Sequence, residues 1–277
     1  MNSNPIGVFD SGVGGLSVLR HIREELPAEH LLYVADSAYA PYGVKTPREI
    51  RARTLKLAEF LVNQGAKALV IACNTATAAA AEMLRGKFAL PIIAMEPAVK
   101  PAVAATRSGV VGVLATSGTL KSAQFAALLE HYGQGVRVTT QSGHGLVECV
   151  ERGMMDTSAT RDLLWGYVQP LLAEGADTLV LGCTHYPFLK PLIEEMTDGR
   201  VAIIDTGAAV ARQVRRRLVE SGLQRINQEE LGDVAFWSSG EIGQAREIMS
   251  MLWGMPTVVE ALPPAYQSDQ VEPTPVG

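Results

Sequence analysis

The chain has 277 residues, 47% of them hydrophobic, and a formal net charge of −5. That length and apolar content support a sizeable core and exclude wholesale disorder, while the acidic balance argues against general nucleic-acid binding. No apolar run reaches membrane-spanning length, and the start, "MNSNPIGVFDSG", lacks the basic-then-apolar pattern of a secretion signal.

In chain order, the first predicted strand is "PIGVFD", which runs into the glycine-rich "DSGVGG", Asp10 to Gly15. A phosphate loop needs G-x-G-x-x-G or a following Gly-Lys-Ser/Thr, and neither occurs, so these amides could equally hold a carboxylate. "HLLYVAD" is the second strand. Thr46 to Gln64 predicts a helix, with Thr46 and Glu49 as a capping box and Pro47 at the first position. "AKALVIAC", "LPIIAME", "GVVGVLAT", "VRVTT", "DTLVLGC", "RVAIIDT" and "DVAFWSS" follow as strands. Apolar strands alternating with helical patterns predict a parallel α/β fold. "RQVRRRL", Arg212 to Leu218, reads as a solvated helix face, and His21, His30 and His131 as surface residues. From Pro263 the chain is proline-rich and polar, which predicts a mobile tail over 263–277.

One pattern occurs twice. "GAKALVIACNTATAAAAE" and "GADTLVLGCTHYPFLKP" both open on Gly-Ala, run through an apolar strand and reach a cysteine, Cys73 and Cys183. Upstream, "IGVFDSG" has an echo in "VGVLATSG". Two half-molecules are predicted, each with a cysteine at a strand end. Ligands bind beyond the carboxyl ends of parallel strands, so two facing halves would bring both thiols to one cleft.

The three cysteines, Cys73, Cys149 and Cys183, form no C-x-x-C pair and read as reduced thiols of a cytoplasmic protein. Cys149 reads as an inert core residue. Cys73 and Cys183 sit where strand gives way to helix, where amides are expected to lower a thiol's pKa. Zinc would need three or four ligands, and only Cys183 and His185 are closely spaced. A redox dithiol lacks its motif. Two thiols on opposite faces of one small molecule suit a different task. One thiolate removes a proton from carbon, the other thiol returns one to the opposite face, and a stereocentre inverts. His185 is expected to assist Cys183, and Asp10 to accept or relay a proton near Cys73.

"FDSGVGGLSVL", "YVADSAYAPYG", "ACNTATA" and "GCTHYP", in that order, resemble the glutamate racemases of the aspartate/glutamate racemase superfamily, up to about Leu262. The resemblance implies two similar parallel-sheet α/β domains related by pseudo-twofold symmetry, with a glutamate pocket in the cleft between them. It implies no cofactor: neither pyridoxal phosphate nor a metal. It places the catalytic pair on Cys73 and Cys183, facing the D- and L-glutamate sides respectively. Substrate contacts fall on Asp10, Ser11, Pro41, Tyr42, Gly43, Asn74, Thr75, Thr184 and His185, with Thr116 and Thr119 as further pocket positions. Glu151 corresponds to a family acid, although the preceding "SGHG", with His144, replaces the Cys-Pro of many members.

The expected function is cofactor-independent interconversion of L- and D-glutamate, supplying D-glutamate for peptidoglycan. The rivals are racemisation of aspartate or another small amino acid, and a non-catalytic binding module that kept the cleft. The expected domains are 1–97 with 208–262, and 98–207. Glutamate is the expected partner, nucleic acid and membrane are not, and a homodimer stays open.

Overall fold

The computed structural model describes residues 3–225 and 230–267. Among them the strands are β1 (Ile6–Asp10), β2 (Leu31–Ala35), β3 (Ala68–Ile71), β4 (Ile92–Ala94) and β5 (Val110–Ala115). Then come β6 (Arg137–Ser142), β7 (Thr178–Gly182), β8 (Ala202–Ile204), β9 (Val234–Ser238) and β10 (Val259–Ala261).

They form two parallel sheets, of six strands in the order β10-β9-β2-β1-β3-β4 and of four in the order β6-β5-β7-β8. The stretch β2-β1-β3-β4 has the same order as β6-β5-β7-β8, so the internal echo of the sequence is a repeated topology; β9 and β10 extend the first copy. Central strands are apolar because helices cover both faces: every residue of β1, β3 and β7 is buried. The edge strand β6, "RVTTQS", has no fully buried residue and carries the polar side chains an edge requires.

The helix expected over Thr46–Gln64 runs from Pro47 to Asn63. Its capping box is formed: the Glu49 amide donates to the Thr46 hydroxyl at 3.3 Å, and the Thr46 amide to the Glu49 carboxylate at 2.8 Å. Ile50, Leu57 and Leu61 turn its inner face onto the first sheet's core.

β10 was not among the predicted strands. It is three residues long, too short to show a period, and pairs with β9 through Val259 and Phe236. The tail expected to be mobile falls in two parts. Pro264–Gln267 form a helical turn, with the Tyr266 ring 5.3 Å from that of Phe60, whereas 268–277 lie outside the described residues.

Candidate active site

Each half delivers its chemistry from the carboxyl ends of adjacent strands. β1 ends on Asp10 and β3 leads to Cys73; β5 leads to Thr116 and β7 to Cys183. Asp10 is fully buried. One carboxylate oxygen accepts the Ser11 amide at 2.6 Å; the other accepts the Gly15 amide at 2.6 Å and the Thr184 hydroxyl at 3.1 Å. Burial raises its pKa, and His185 and the Ser11 amide only partly offset this. The amides of "DSGVGG" thus hold the protein's own carboxylates, because the Val13 amide donates to Glu151 at 2.7 Å. Glycine is needed here by close approach. A β-carbon on Gly12 would lie 1.9 Å from Glu151 Oε1, and one on Gly14 2.2 Å from His185 Nδ1.

Cys73 is the N-cap of the helix Asn74–Lys87, and its sulfur accepts the Ala76 amide at 3.4 Å. The expected fall in its pKa is not found. Burial pushes the thiol well above its ordinary value and the Asp10 charge adds to this, outweighing the Ala76 amide. Cys73 is therefore a thiol, donating to the Ser11 hydroxyl at 3.7 Å.

Cys183 is not followed directly by an α-helix but by a short 3₁₀ turn, Tyr186–Leu189, and only then by the helix Lys190–Met196. Its helper is a side chain: His185 Nδ1 lies 3.7 Å from the Cys183 sulfur. His185 Nε2 donates to Glu151 at 2.6 Å, and Glu151 also accepts the Ser37 hydroxyl at 2.9 Å. Burial works against the imidazolium, yet the hydrogen bonds with Cys183 and Glu151 outweigh it and hold the pKa well above 6.5. A thiol, an imidazole and a carboxylate thus stand in line, the acid orienting the imidazole.

Both thiols face one narrow cavity. Of the expected residues, Ser11, Pro41, Tyr42, Gly43, Asn74, Thr75, Thr116, Thr184 and His185 join them on its walls. Asp10, Thr119 and Glu151 stand behind these. The hydroxyls of Thr75, Thr116 and Thr119 form a triangle with edges of 2.9, 3.0 and 3.2 Å, which links the half carrying Cys73 to the half carrying Cys183. Asn74 Nδ2 makes another link, donating to the Gly182 carbonyl at 3.0 Å. Asn74 Oδ1 is buried without a protein partner among the described residues. A larger groove beside Glu151 contains neither cysteine.

Sequence reasoning missed Val147 and Gly182 on the walls, and Asp36 behind Tyr42. Asp36 had a usable signal: it follows β2 as Asp10 ends β1, and the two strands are neighbours with Asp10 opposite Ala35. The "SGHG" segment resolves as a turn. Gly145 has φ of +83° and opens the helix Leu146–Glu151, while the Gly143 carbonyl accepts the Tyr186 hydroxyl at 2.9 Å. His144 points to Ser117, with Nε2 3.2 Å from its hydroxyl, away from Glu151's contacts. Among the described residues no group of three or more His, Cys, Asp or Glu could hold a metal, and no helix is long and apolar enough to cross a membrane.

Residues 6–214 match the Asp/Glu/hydantoin racemase family. Over 251 residues the chain is 61% identical to a glutamate racemase of Ectopseudomonas mendocina, spanning 90% of this chain and 95% of that one. Its fold superposes on glutamate racemase from Bacillus anthracis with a TM-score of 0.86 at 31% identity, covering 95% of this chain and 99% of the other. The Escherichia coli glutamate racemase, solved with L-glutamate and the activator UDP-MurNAc-Ala, superposes with a TM-score of 0.81 at 30% identity, over 94% and 98% of the chains.

Proposed function

We infer from two facts together, that the chain belongs to the Asp/Glu/hydantoin racemase family and that two thiols face one cavity, that it is a glutamate racemase. Starting from L-glutamate, the Cys183 thiolate, beside the His185 imidazolium, takes the Cα proton and becomes a thiol. The C–H electron pair moves into the α-carboxylate. The Cys73 thiol then gives its proton to the opposite face of Cα, leaving a thiolate. The enzyme resets when Cys183 loses its proton to solvent and Cys73 gains one. From D-glutamate the same steps run in reverse.

The remaining roles are also proposals. The unpartnered Asn74 Oδ1 is a buried acceptor suited to the substrate ammonium. The threonine triangle supplies hydroxyls for a carboxylate, and Thr184 with the neighbouring amides takes the other. Asp10 sets the proton affinity of Cys73, and Glu151 positions His185. No cofactor takes part in these steps. D-glutamate leaves for peptidoglycan synthesis, and the cytoplasm is the compartment whose reducing conditions keep both thiols free. The two halves, 1–97 with 208–262 and 98–207, act as domains, a division supported by strands confined to 6–94 with 234–261 and to 110–204. A homodimer is supported only by the exposed Met251, Met255 and Val258, and light scattering tests it.

The observation that carries the reading is the pair of cysteines on one cavity, each backed by a different helper. Reaction in D2O tests it. At low conversion, D-glutamate formed from L-glutamate should carry deuterium at Cα, because the donating thiol has exchanged with solvent. If early product keeps its original hydrogen, one base serves both faces and the paired assignment fails. L-aspartate run in parallel should keep its optical signal; its decay at the same rate would favour the broader substrate reading.

A further inference from the structure

Tyr42 lines the cavity with Cys73, yet its hydroxyl points away from the substrate space, donating to Asp36 Oδ2 at 2.6 Å. Asp36 is 0% exposed and Arg53, in the helix Pro47–Asn63, is 1% exposed. Arg53 grips Asp36 with two bonds, Nη2 to Oδ1 at 2.7 Å and Nε to Oδ2 at 3.0 Å. Its guanidinium carbon lies 3.9 Å from the centroid of the Tyr39 ring. Both Arg53 Nη1, at 3.1 Å, and the Tyr39 hydroxyl donate to one acceptor, the carbonyl of Gln267. Gln267 closes the helical turn at the far end of the described chain, and Tyr266 docks that turn on Phe60 and bonds Asn63 Nδ2 at 2.7 Å.

Burying a charge pair this completely is costly, and well-packed apolar residues would stabilise the core as well or better. What apolar residues cannot supply is direction. The Arg53 fork fixes the Asp36 carboxylate plane, the carboxylate fixes the Tyr42 hydroxyl, and the hydroxyl fixes the ring that forms the cavity wall. A Tyr42 ring swung aside would leave a buried hydroxyl and a buried carboxylate oxygen each short of a partner. We propose that Arg53, Asp36 and the Pro264–Gln267 turn form a brace that holds Tyr42 as a wall of the glutamate pocket, which makes Arg53 a positioning residue for substrate binding. The proposal rests on the reading of that cavity as the glutamate site.

The test is steady-state kinetics in both directions on the full chain, with melting temperatures for each variant. Arg53→Met removes the grip while keeping the length of the side chain; Tyr42→Phe removes the last bond of the brace while keeping the ring. Each should raise KM for L- and D-glutamate alike, roughly tenfold, with kcat within about twofold. The double variant should be no worse than either single one, since both cut one chain of contacts. Arg53→Lys should fall between the parent and Arg53→Met. Tyr266→Ala, which loosens the turn, should raise KM by a smaller factor. Leu61→Val loosens the same helix where it packs over Gly7 of β1, away from the brace, so it should lower the melting temperature and leave KM alone. A KM unmoved in Arg53→Met and Tyr42→Phe overturns the proposal, as does a double variant whose KM is the product of the singles. A KM unmoved in Tyr266→Ala removes the turn from the brace. If Arg53→Met does not fold, Tyr42→Phe decides alone. A parent protein that does not racemise glutamate overturns the functional reading instead, so the two failures are distinct.

Discussion

Cys73 and Cys183 have different neighbours. Burial and the Asp10 charge raise the pKa of the Cys73 thiol, whereas His185 Nδ1 lies 3.7 Å from the Cys183 sulfur. Replacing either by Ala should lower racemisation by on the order of 10² to 10⁴, the usual range for a lost general base or acid. Cys149→Ala should leave it near the parent rate, and an optical-rotation assay checks all three. Glu151 offers a pH test. A folded-state pKa of His185 above its ordinary 6.5 gives stabilisation that is full below pH 6.5 and fades as pH rises through the raised value. The gap in melting temperature between parent and Glu151→Gln should therefore be widest near about pH 6 and should close on the alkaline side. Both thiols, His185 and Asn74 were legible in the sequence because they lie within two residues of a predicted strand end. Arg53 was not, because its partners Asp36, Tyr39 and Gln267 meet it only through tertiary folding.

At the scale of elements, the loop after β1 was legible as glycine-rich but not in its purpose. Its glycines admit Glu151 and His185 from the other half of the molecule, a contact no local pattern records. Gly12→Ala and Gly14→Ala should keep a native circular-dichroism spectrum, since Gly12 only precedes and Gly14 lies within a single 3₁₀ turn, Val13–Gly15, outside every α-helix and strand. Their kcat should fall by more than about tenfold, as β-carbons at 1.9 and 2.2 Å push the acid–imidazole pair out of line with Cys183. A Gly12→Ala variant with parental kcat would show that this line is not needed. The predicted rise in thiol acidity at the Asn74–Lys87 helix start failed for a reason of magnitude. One amide at 3.4 Å from sulfur is a weak contact, and full desolvation is the larger effect.

For the whole molecule, the repeated strand order sets two like scaffolds against each other, but their chemical equipment differs: a carboxylate behind one thiol, an imidazole–carboxylate pair behind the other. The echo of strand and cysteine was legible, because apolar runs and spacing survive in sequence. The unlike helpers were legible only in part, since Glu151 reaches His185 across the fold. All proton transfers in this scheme pass between side chains, substrate and solvent. Exhaustive dialysis against a chelator should therefore leave the rate unchanged, and the protein should show no visible pyridoxal absorbance. Activity recovered only on adding metal or pyridoxal phosphate would refute the scheme.

The sulfur of Cys73, the proposed proton carrier, also begins the helix Asn74–Lys87. Sulfur is a weak acceptor, while serine is among the favoured N-cap residues. Cys73→Ser should thus be inactive yet melt no lower than the parent, and it should exceed Cys73→Ala by about 0.5–2 kcal/mol of stability. Thermal denaturation beside the racemisation assay would show it. The enzyme would then carry a built-in compromise at one atom, keeping a poorer helix start because the better one cannot move a carbon-bound proton.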